Sequence, residues 1–538
     1  MNNKKKWRFG FVLALILAAV LQIGGSSMEA VHAAGITVTV NNCVIAGQNV
    51  NVTATSTALP AAADGMYYLF ELKPYELAVG SRKDYCAAAP VSAAAAFTVP
   101  LDLNSAASKL YSRFVVTVLQ NGKYVPVSNE MYITNPEAVA PKSTNYPVRS
   151  RKGLTADWRF SEELAALGAG FASYELDVSR FFTGGGINYT YNGKTYSFNA
   201  GVVREYDIIC TRLAGAGCNV IMVIKNSYNR ATADMVAPSG RVAGKNCYAF
   251  NLDEQIPTEK LEALMSFLAE RYSGSMGTIH TWVIGNEVNS SNPWHYMGNV
   301  SADVLAAHYA KEFRVCYNAI KSQNSGARVF ASIDQRWNFE DGTRGQFAAK
   351  KILDLFAAHI NVGGNIDWGL SFHPYPTPIY NCSFWSLPAD YARMNLIDHT
   401  DNSKFVNPTN TDVVTNHMIQ PTMLAPNGGV RHILITEMGF TSQSARIPTN
   451  ELNQAAAMVY AYKLTSSNPF IEGIVFHRQV DHAAEIRSDG MALGIRTENS
   501  IKYAYGVFAN MDKGNSPQYT DFALPILGIT SWAEVGLQ

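Results

Sequence analysis

Eight short apolar runs, each separated from the next by helical patterns or polar loops, constrain this chain more than any other feature. They are KGLTA (152–156), GFASYELDV (170–178), NVIMVIKN (219–226), IHTWVIGN (279–286), ARVFASID (327–334), IDWGLSFH (366–373), RHILITEM (431–438) and IEGIVFH (471–477). Helical periodicity marks EKLEALMSFLAERY (259–272), SADVLAAHYAKEFRVCYNAIKSQ (301–323) and ELNQAAAMVYAYKLTSS (451–467), and a further helix, YAYGVFANM (503–511), follows the eighth run. Near-continuous apolar strands are buried on both faces, which requires helices packed around a parallel sheet. Eight such units predict an α/β fold, a closed (β/α)8 TIM barrel over 140–538. The competing doubly wound open sheet brings a Gly-rich phosphate turn after an early strand, and none is present here.

Residues 34–139 carry a different rhythm. ITVTVNN, NVNVTAT, MYYLFEL, AAFTVPL, RFVVTVL and YVPVSNEMYIT are short, β-branched or aromatic, and divided by turn residues. This pattern predicts a small β-sandwich of the immunoglobulin type ahead of the barrel. It shows no aromatic platform for a ligand, so bracing the barrel is the favoured role over carbohydrate binding.

The N-terminus reads as an export signal, residues 1–33. Lys4, Lys5, Lys6 and Arg8 are followed by an apolar stretch from Phe9 to Ile23 and by Val31-His32-Ala33, small residues at cleavage spacing. An uncleaved anchor would need about 20 apolar residues. The chain is therefore expected to be secreted, with no membrane partner after cleavage. Lys+Arg and Asp+Glu both number 43, so no basic field exists to hold nucleic acid. The seven cysteines show neither CxxC nor Cys/His spacing, so neither a metal nor a cofactor is expected. Export permits disulfides; Cys43 and Cys86 share the N-terminal segment, and the odd count leaves a thiol over.

In a barrel of this kind chemistry sits at the C-terminal strand ends. The dipeptide Asn–Glu occurs three times, at 129–130, 286–287 and 450–451. The first falls in a sandwich strand and reads as a surface pair. The third opens a helix, where a glutamate complements the positive dipole end. Only Glu287 ends a barrel strand, the fourth, and Glu437 ends the seventh. Taken alone, each has an ordinary explanation as a helix cap or an arginine partner. Taken together, they form the pair that glycoside cleavage needs: one carboxyl held neutral to protonate the leaving oxygen, one held ionised beside the anomeric carbon.

GNE ending strand four, HPY ending strand six and TEMGF ending strand seven resemble the retaining (β/α)8 glycoside hydrolases of clan GH-A, over about 140–515. The sandwich-plus-barrel layout also resembles an exported domain family with no assigned activity. The resemblance implies Glu287 as acid/base, Glu437 as nucleophile, Asn286 on the sugar 2-hydroxyl, Tyr375 orienting Glu437, and His373 lining the subsite beside the acid/base. His373 as a satisfied strand-end histidine and Tyr375 as the cap of a rigid Pro-Tyr-Pro turn remain the ordinary alternatives. Strand eight departs from the clan, which ends it with a tryptophan; here the run is IVFHRQVDH. His477, Arg478 and His482 are candidates to grip a polar or acidic sugar substituent, or Arg478 pairs with Asp481 as plain structure.

Aromatic side chains in the expected active-face loops, Trp294, Trp337 and Trp385 among them, offer faces for sugar C–H surfaces, with packing against the barrel rim as the alternative. Asn226 at the end of strand three is a further polar candidate. Two rival functions stand beside the glycosidase: a barrel that binds carbohydrate without turnover, and a metal-dependent hydrolase drawing on His280, His373, His477, His482 and Asp334. No His-x-His or His-Glu-x-x-His spacing favours the latter.

Overall fold

The computed structural model describes residues 37–146 and 149–537. The expected signal segment, 1–33, lies outside the described residues. The chain divides into two compact units. The smaller holds the chain through Leu101, Ser112–Thr134 and Val362–Gly364; the larger holds Asp102–Tyr111, Asn135–Asn361 and the chain from Asn365 onward.

The smaller unit contains two antiparallel sheets. One pairs Val38–Ala46, Asn49–Ser56 and Ala94–Pro100; the other orders Ala87–Pro90, Met66–Leu72, Arg113–Gln120 and Lys123–Pro126. Alternate side chains of Asn49–Ser56 are buried, as a strand with one face on a core demands. Glu130 of the first Asn–Glu pair accepts from the Arg113 guanidinium, a structural ion pair.

The larger unit is a closed parallel barrel. Its strands are β1 (Lys152–Thr155), β2 (Phe171–Asp177), β3 (Asn219–Lys225), β4 (Thr281–Ile284), β5 (Arg328–Asp334), β6 (Gly369–His373), β7 (Ile433–Met438) and β8 (Ile471–Phe476). Each pairs with the next, and β8 closes on β1 through Val475 opposite Gly153. All eight coincide with the runs read from sequence. The helices Gln255–Arg271, Ala302–Gln323 and Glu451–Ser467 fall where periodicity put them. Asn450 caps the last of these by accepting from the Asn453 N–H, which explains the third Asn–Glu pair.

Phe171, Ile221, Val223, Val283, Phe330, Leu434 and Val475 pack together inside the barrel. Because side chains alternate along a strand, these residues fix which later ones also face the axis. On β3 the inward series continues to Lys225, on β5 to Ser332 and Asp334, and on β8 to His477. A hairpin, Gly186–Tyr191 with Lys194–Asn199, went unread in the sequence. Its signal was there: Asn192 and Gly193 take φ of 49° and 77°, the left-handed pair that an Asn-Gly hairpin turn uses.

Gly153 admits Phe171 to the core. A Cβ at 153 would lie 2.6 Å from the Phe171 Cβ and 2.7 Å from its carbonyl oxygen, and the backbone atom cannot turn aside. Gly153→Ala is expected to destabilise the barrel by about 1–3 kcal/mol through overpacking. The check is the urea midpoint of barrel unfolding; an unchanged midpoint would show that β1 and β2 separate freely.

Candidate active site

The apolar run of β4 stops at Gly285, and the chain then turns sharply. Gly285 has φ 74° and Glu287 φ 44°, both in the left-handed region. For a glutamate this backbone costs on the order of 1–2 kcal/mol, so neighbours must hold it. The Glu287 N–H donates to the Ser332 hydroxyl of β5 at 3.1 Å. The Tyr309 hydroxyl donates to the Ile284 carbonyl at 2.6 Å and accepts from the Ser332 N–H at 3.2 Å. Asp334 accepts from the Asn289 amide at 2.6 Å and from the Ser290 hydroxyl. The turn is thereby fastened to β5 on three sides.

Glu287 and Glu437 meet across His373. Its Nδ1 lies 2.8 Å from Glu287 Oε1 and 3.7 Å from Glu437 Oε2. Ligand atoms of these three residues all lie within 4.8 Å of one another. The His373 ring is fixed from behind by Thr436, whose Oγ1 lies 3.0 Å from Nε2. The Tyr375 hydroxyl donates to Glu437 Oε2 at 3.0 Å. Glu437 owes its direction to an irregularity in β7. Ile435 pairs with Ile474 but Met438 with Phe476, one extra residue in β7, so Glu437 escapes the outward parity of Ile435.

The surroundings drive the two carboxyls apart. Burial raises Glu287 above the ordinary carboxylate range; the hydrogen bond and charge of His373 oppose this, while Asp334 and Glu437 add to it. Burial also pushes Glu437 up, but His373, His477, Lys225 and the Tyr375 hydroxyl outweigh it and hold Glu437 below its usual value. Burial lowers His373, yet Glu437 and Glu287 more than compensate and leave it raised. One carboxyl is thus disposed to carry a proton and its neighbour to lack one.

The other expected site residues divide into two groups. Asn286 and Asn226 are buried at the strand ends, and the Oδ1 atom of each lacks a hydrogen-bond partner. Trp294 stands beside Lys225, whose Nζ is 5.9 Å from the ring centroid. Two readings need correction, those of Trp337 and Arg478. Trp337 is 1% exposed, donates its indole N–H to the Asp401 carbonyl at 3.3 Å and packs edge-on to His417, so its faces serve the loop core. Trp385 packs against Phe384 and against Tyr460 of the helix Glu451–Ser467. Arg478 pairs with Glu485 at 2.8 Å, whereas Asp481 pairs with Lys502 at 2.7 Å. His477 also reaches Glu485, at 3.0 Å through Nε2, so one carboxylate engages both His477 and Arg478.

Lys225, Glu175 and Glu485 were missed in the sequence. Lys225 Nζ is 2.7 Å from Glu175 Oε1, and Glu175 with Glu437 keeps it protonated against burial. Inward parity from Ile221 and Val223 would have revealed Lys225. The histidine set considered for a metal is not assembled: His280 precedes β4 at the far end of the barrel, where its Nδ1 accepts from the Val220 N–H at 3.1 Å. Among the described residues, Glu287, His373 and Glu437 are the group that could hold a cation.

Residues 144–535 match the family described as "Family of unknown function (DUF5722)", and the chain belongs to that family. No curated protein matches the chain. Among solved structures it is similar to a family 39 glycoside hydrolase from the gut symbiont Bacteroides cellulosilyticus WH2, at 15% identity over 88% of this chain and 81% of that one, with TM-score 0.44. It is similar to a hyperthermophilic β-glucosidase from Pyrococcus furiosus, at 12% identity, 69% and 88% coverage and TM-score 0.43. A β-glucuronidase from Ruminococcus gnavus, in complex with D-glucuronic acid, gives 11% identity, 88% and 67% coverage and TM-score 0.35.

The opposed shifts have opposed consequences for stability. With its folded pKa above the unfolded one, Glu287 costs stability as pH rises through its folded value. Glu437, depressed, contributes stability above the ordinary carboxylate range that is lost as pH falls through its folded value. Relative to wild type, Glu287→Gln should therefore raise the thermal unfolding midpoint more at about pH 8 than at about pH 4, and Glu437→Gln should lower it more at the higher pH. Thermal scans of both variants at the two pH values test this, and shifts of the same sign would contradict it.

Proposed function

We propose that this member of the family is an exported glycoside hydrolase that cleaves an O-glycosyl bond of a poly- or oligosaccharide or glycoconjugate by double displacement, with retention. The observation that carries the reading is the approach of carboxylate oxygens of Glu287 and Glu437 within 4.8 Å. Retaining enzymes hold these carboxyls about 5–5.5 Å apart, and inverting ones about 6.5–9.5 Å, to admit a water between them. Export rests on the basic and apolar pattern of residues 1–33.

In the first step Glu287, kept protonated by burial, gives its proton to the leaving oxygen as the glycosidic bond breaks. Glu437, kept ionised, bonds the anomeric carbon. In the second step Glu287, now a carboxylate, takes a proton from water; the water oxygen attacks the same carbon and Glu437 departs. Tyr375 orients the Glu437 oxygen that it touches. The buried, unpartnered Oδ1 of Asn286 is available to accept from the sugar 2-hydroxyl, a contact that strengthens in the transition state.

A second reading has one observation in its favour: the Glu287–His373–Glu437 group is compact enough to bind a divalent cation. Against it, His373 Nδ1 and Glu287 already share a 2.8 Å hydrogen bond, so a cation would have to displace the proton between them. A third possibility, ligand binding without turnover, predicts affinity for oligosaccharides in both wild type and Glu437→Ala.

A screen of aryl glycosides and oligosaccharides decides among them. Glu437→Ala should show no turnover above background, and Glu287→Gln should lose about 10²–10⁴-fold on substrates whose leaving group needs protonation. The wild-type rate should follow a bell in pH. Its acid limb belongs to Glu437, which must be ionised, and its basic limb to Glu287, which must be protonated; Glu287→Gln should abolish the basic limb. Full activity in Glu437→Ala would refute the mechanism, and activity removed by EDTA and restored by a divalent cation would favour the metal reading.

A further inference from the structure

A cavity of about 440 Å³ opens beside the end of β8, between the loop after β1 and the loop after β8. Thr155, Trp158, Tyr174, Arg478, His482 and Ile486 are among the residues lining it. Neither Glu287 nor Glu437 does, so a group bound there is not the one being cleaved. The cavity is nonetheless close to the reacting centre. Thr155 Oγ1 lies 3.3 Å from His477 Nδ1, and the His477 ring stands 6.4 Å from the ring of Tyr375, which holds Glu437.

We propose that this cavity is a second sugar subsite on the glycone side of the scissile bond, built for a neutral pyranose unit. The inference rests on the glycosidase reading and deepens it by naming the substrate class: an oligosaccharide with at least two glycosyl units ahead of the cleaved bond. Three observations support it. The volume falls in the range of about 300–1,000 Å³ usual for ligand sites.

The lining joins apolar surface from Trp158 and Ile486 to polar groups from Tyr174, Asp157 and Arg478. That mixture suits a ring with C–H faces and peripheral hydroxyls. Its charges are matched internally: Arg159 pairs with Asp157 at 2.6 Å and with Glu498 at 2.9 Å, Arg478 with Glu485 at 2.8 Å, and Asp481 with Lys502 at 2.7 Å. Paired ions offer hydrogen-bonding atoms to hydroxyls without an excess charge that would select an anion.

The side of the bond follows from strand order. The leaving oxygen must sit beside Glu287 on β4. The cavity lies at β8, four strands around the ring in either direction, and its wall residue Thr155 touches His477, which stands beside the Tyr375 that holds Glu437. It therefore extends from the sugar attacked by Glu437, away from the leaving group.

The test uses the full chain with paired p-nitrophenyl monoglycosides and diglycosides sharing the sugar next to the nitrophenol, and the variants Ile486→Trp and Trp158→Ala. Ile486 is 37% exposed, so a larger side chain fills the cavity without entering the core. In wild type, kcat/KM should be about tenfold or more higher for the diglycoside, since remote binding energy is used in the transition state. Ile486→Trp should erase that advantage and leave the monoglycoside rate within about twofold. Trp158→Ala should reduce the advantage in the same direction, so the result does not depend on one variant folding.

Equal rates on the two lengths in wild type, or equal losses on both lengths in a variant, would overturn the subsite. Such length-independent turnover, if abolished by Glu437→Ala, would leave the glycosidase reading standing. No turnover on any pair would overturn both.

Discussion

Two carboxylates buried side by side repel each other, and the contact that makes their approach tolerable is the one they share with His373. Its Nδ1 hydrogen-bonds Glu287 and lies within charge-pairing distance of Glu437. Removing either carboxyl from water disfavours its ionised form, so one of the two must hold a proton or face a cation. The protein divides these solutions between them. Glu437 faces His373, His477, Lys225 and the Tyr375 hydroxyl, whereas Glu287 has burial, Asp334 and Glu437 set against a single histidine. The two carboxyls differ because their neighbours differ.

The neighbours are supplied by strand parity. Once Phe171, Val223, Val283, Phe330, Leu434 and Val475 fill the axis, every second residue beyond them must project into the mouth. Lys225, Asp334 and His373 arrive there within regular strand. The two glutamates do not. Glu287 needs a left-handed turn fastened to β5, and Glu437 needs an extra residue in β7. Both glutamates therefore sit at local departures from regular backbone.

Strand eight is where the sequence departs from the pattern of the clan that it resembles. His477 and Arg478, which stand where that clan has a tryptophan, are gathered by Glu485. The Arg478 guanidinium is thereby matched by a carboxylate. The isolated residues suggested positive charge; the assembled cluster has little to spare.

The barrel, its strand limits and the two glutamates were legible in the sequence, because apolar periodicity reports burial and a carboxylate at a strand end stands out against it. His373 and Tyr375 were singled out by the resemblance that the HPY run at the end of β6 carries. Trp337 proved to be loop core because an aromatic loop residue looks the same in a sequence whether its faces meet a sugar or a His417 ring. Glu485, in a short helix after β8, carried no periodic signal at all. The sequence determined which side chains end the strands, since alternation is a local property of the chain. Which carboxyl holds the proton, and which cations are already matched, was decided only by tertiary structure, because charge and desolvation act through space between residues as distant as Glu287 and Glu437.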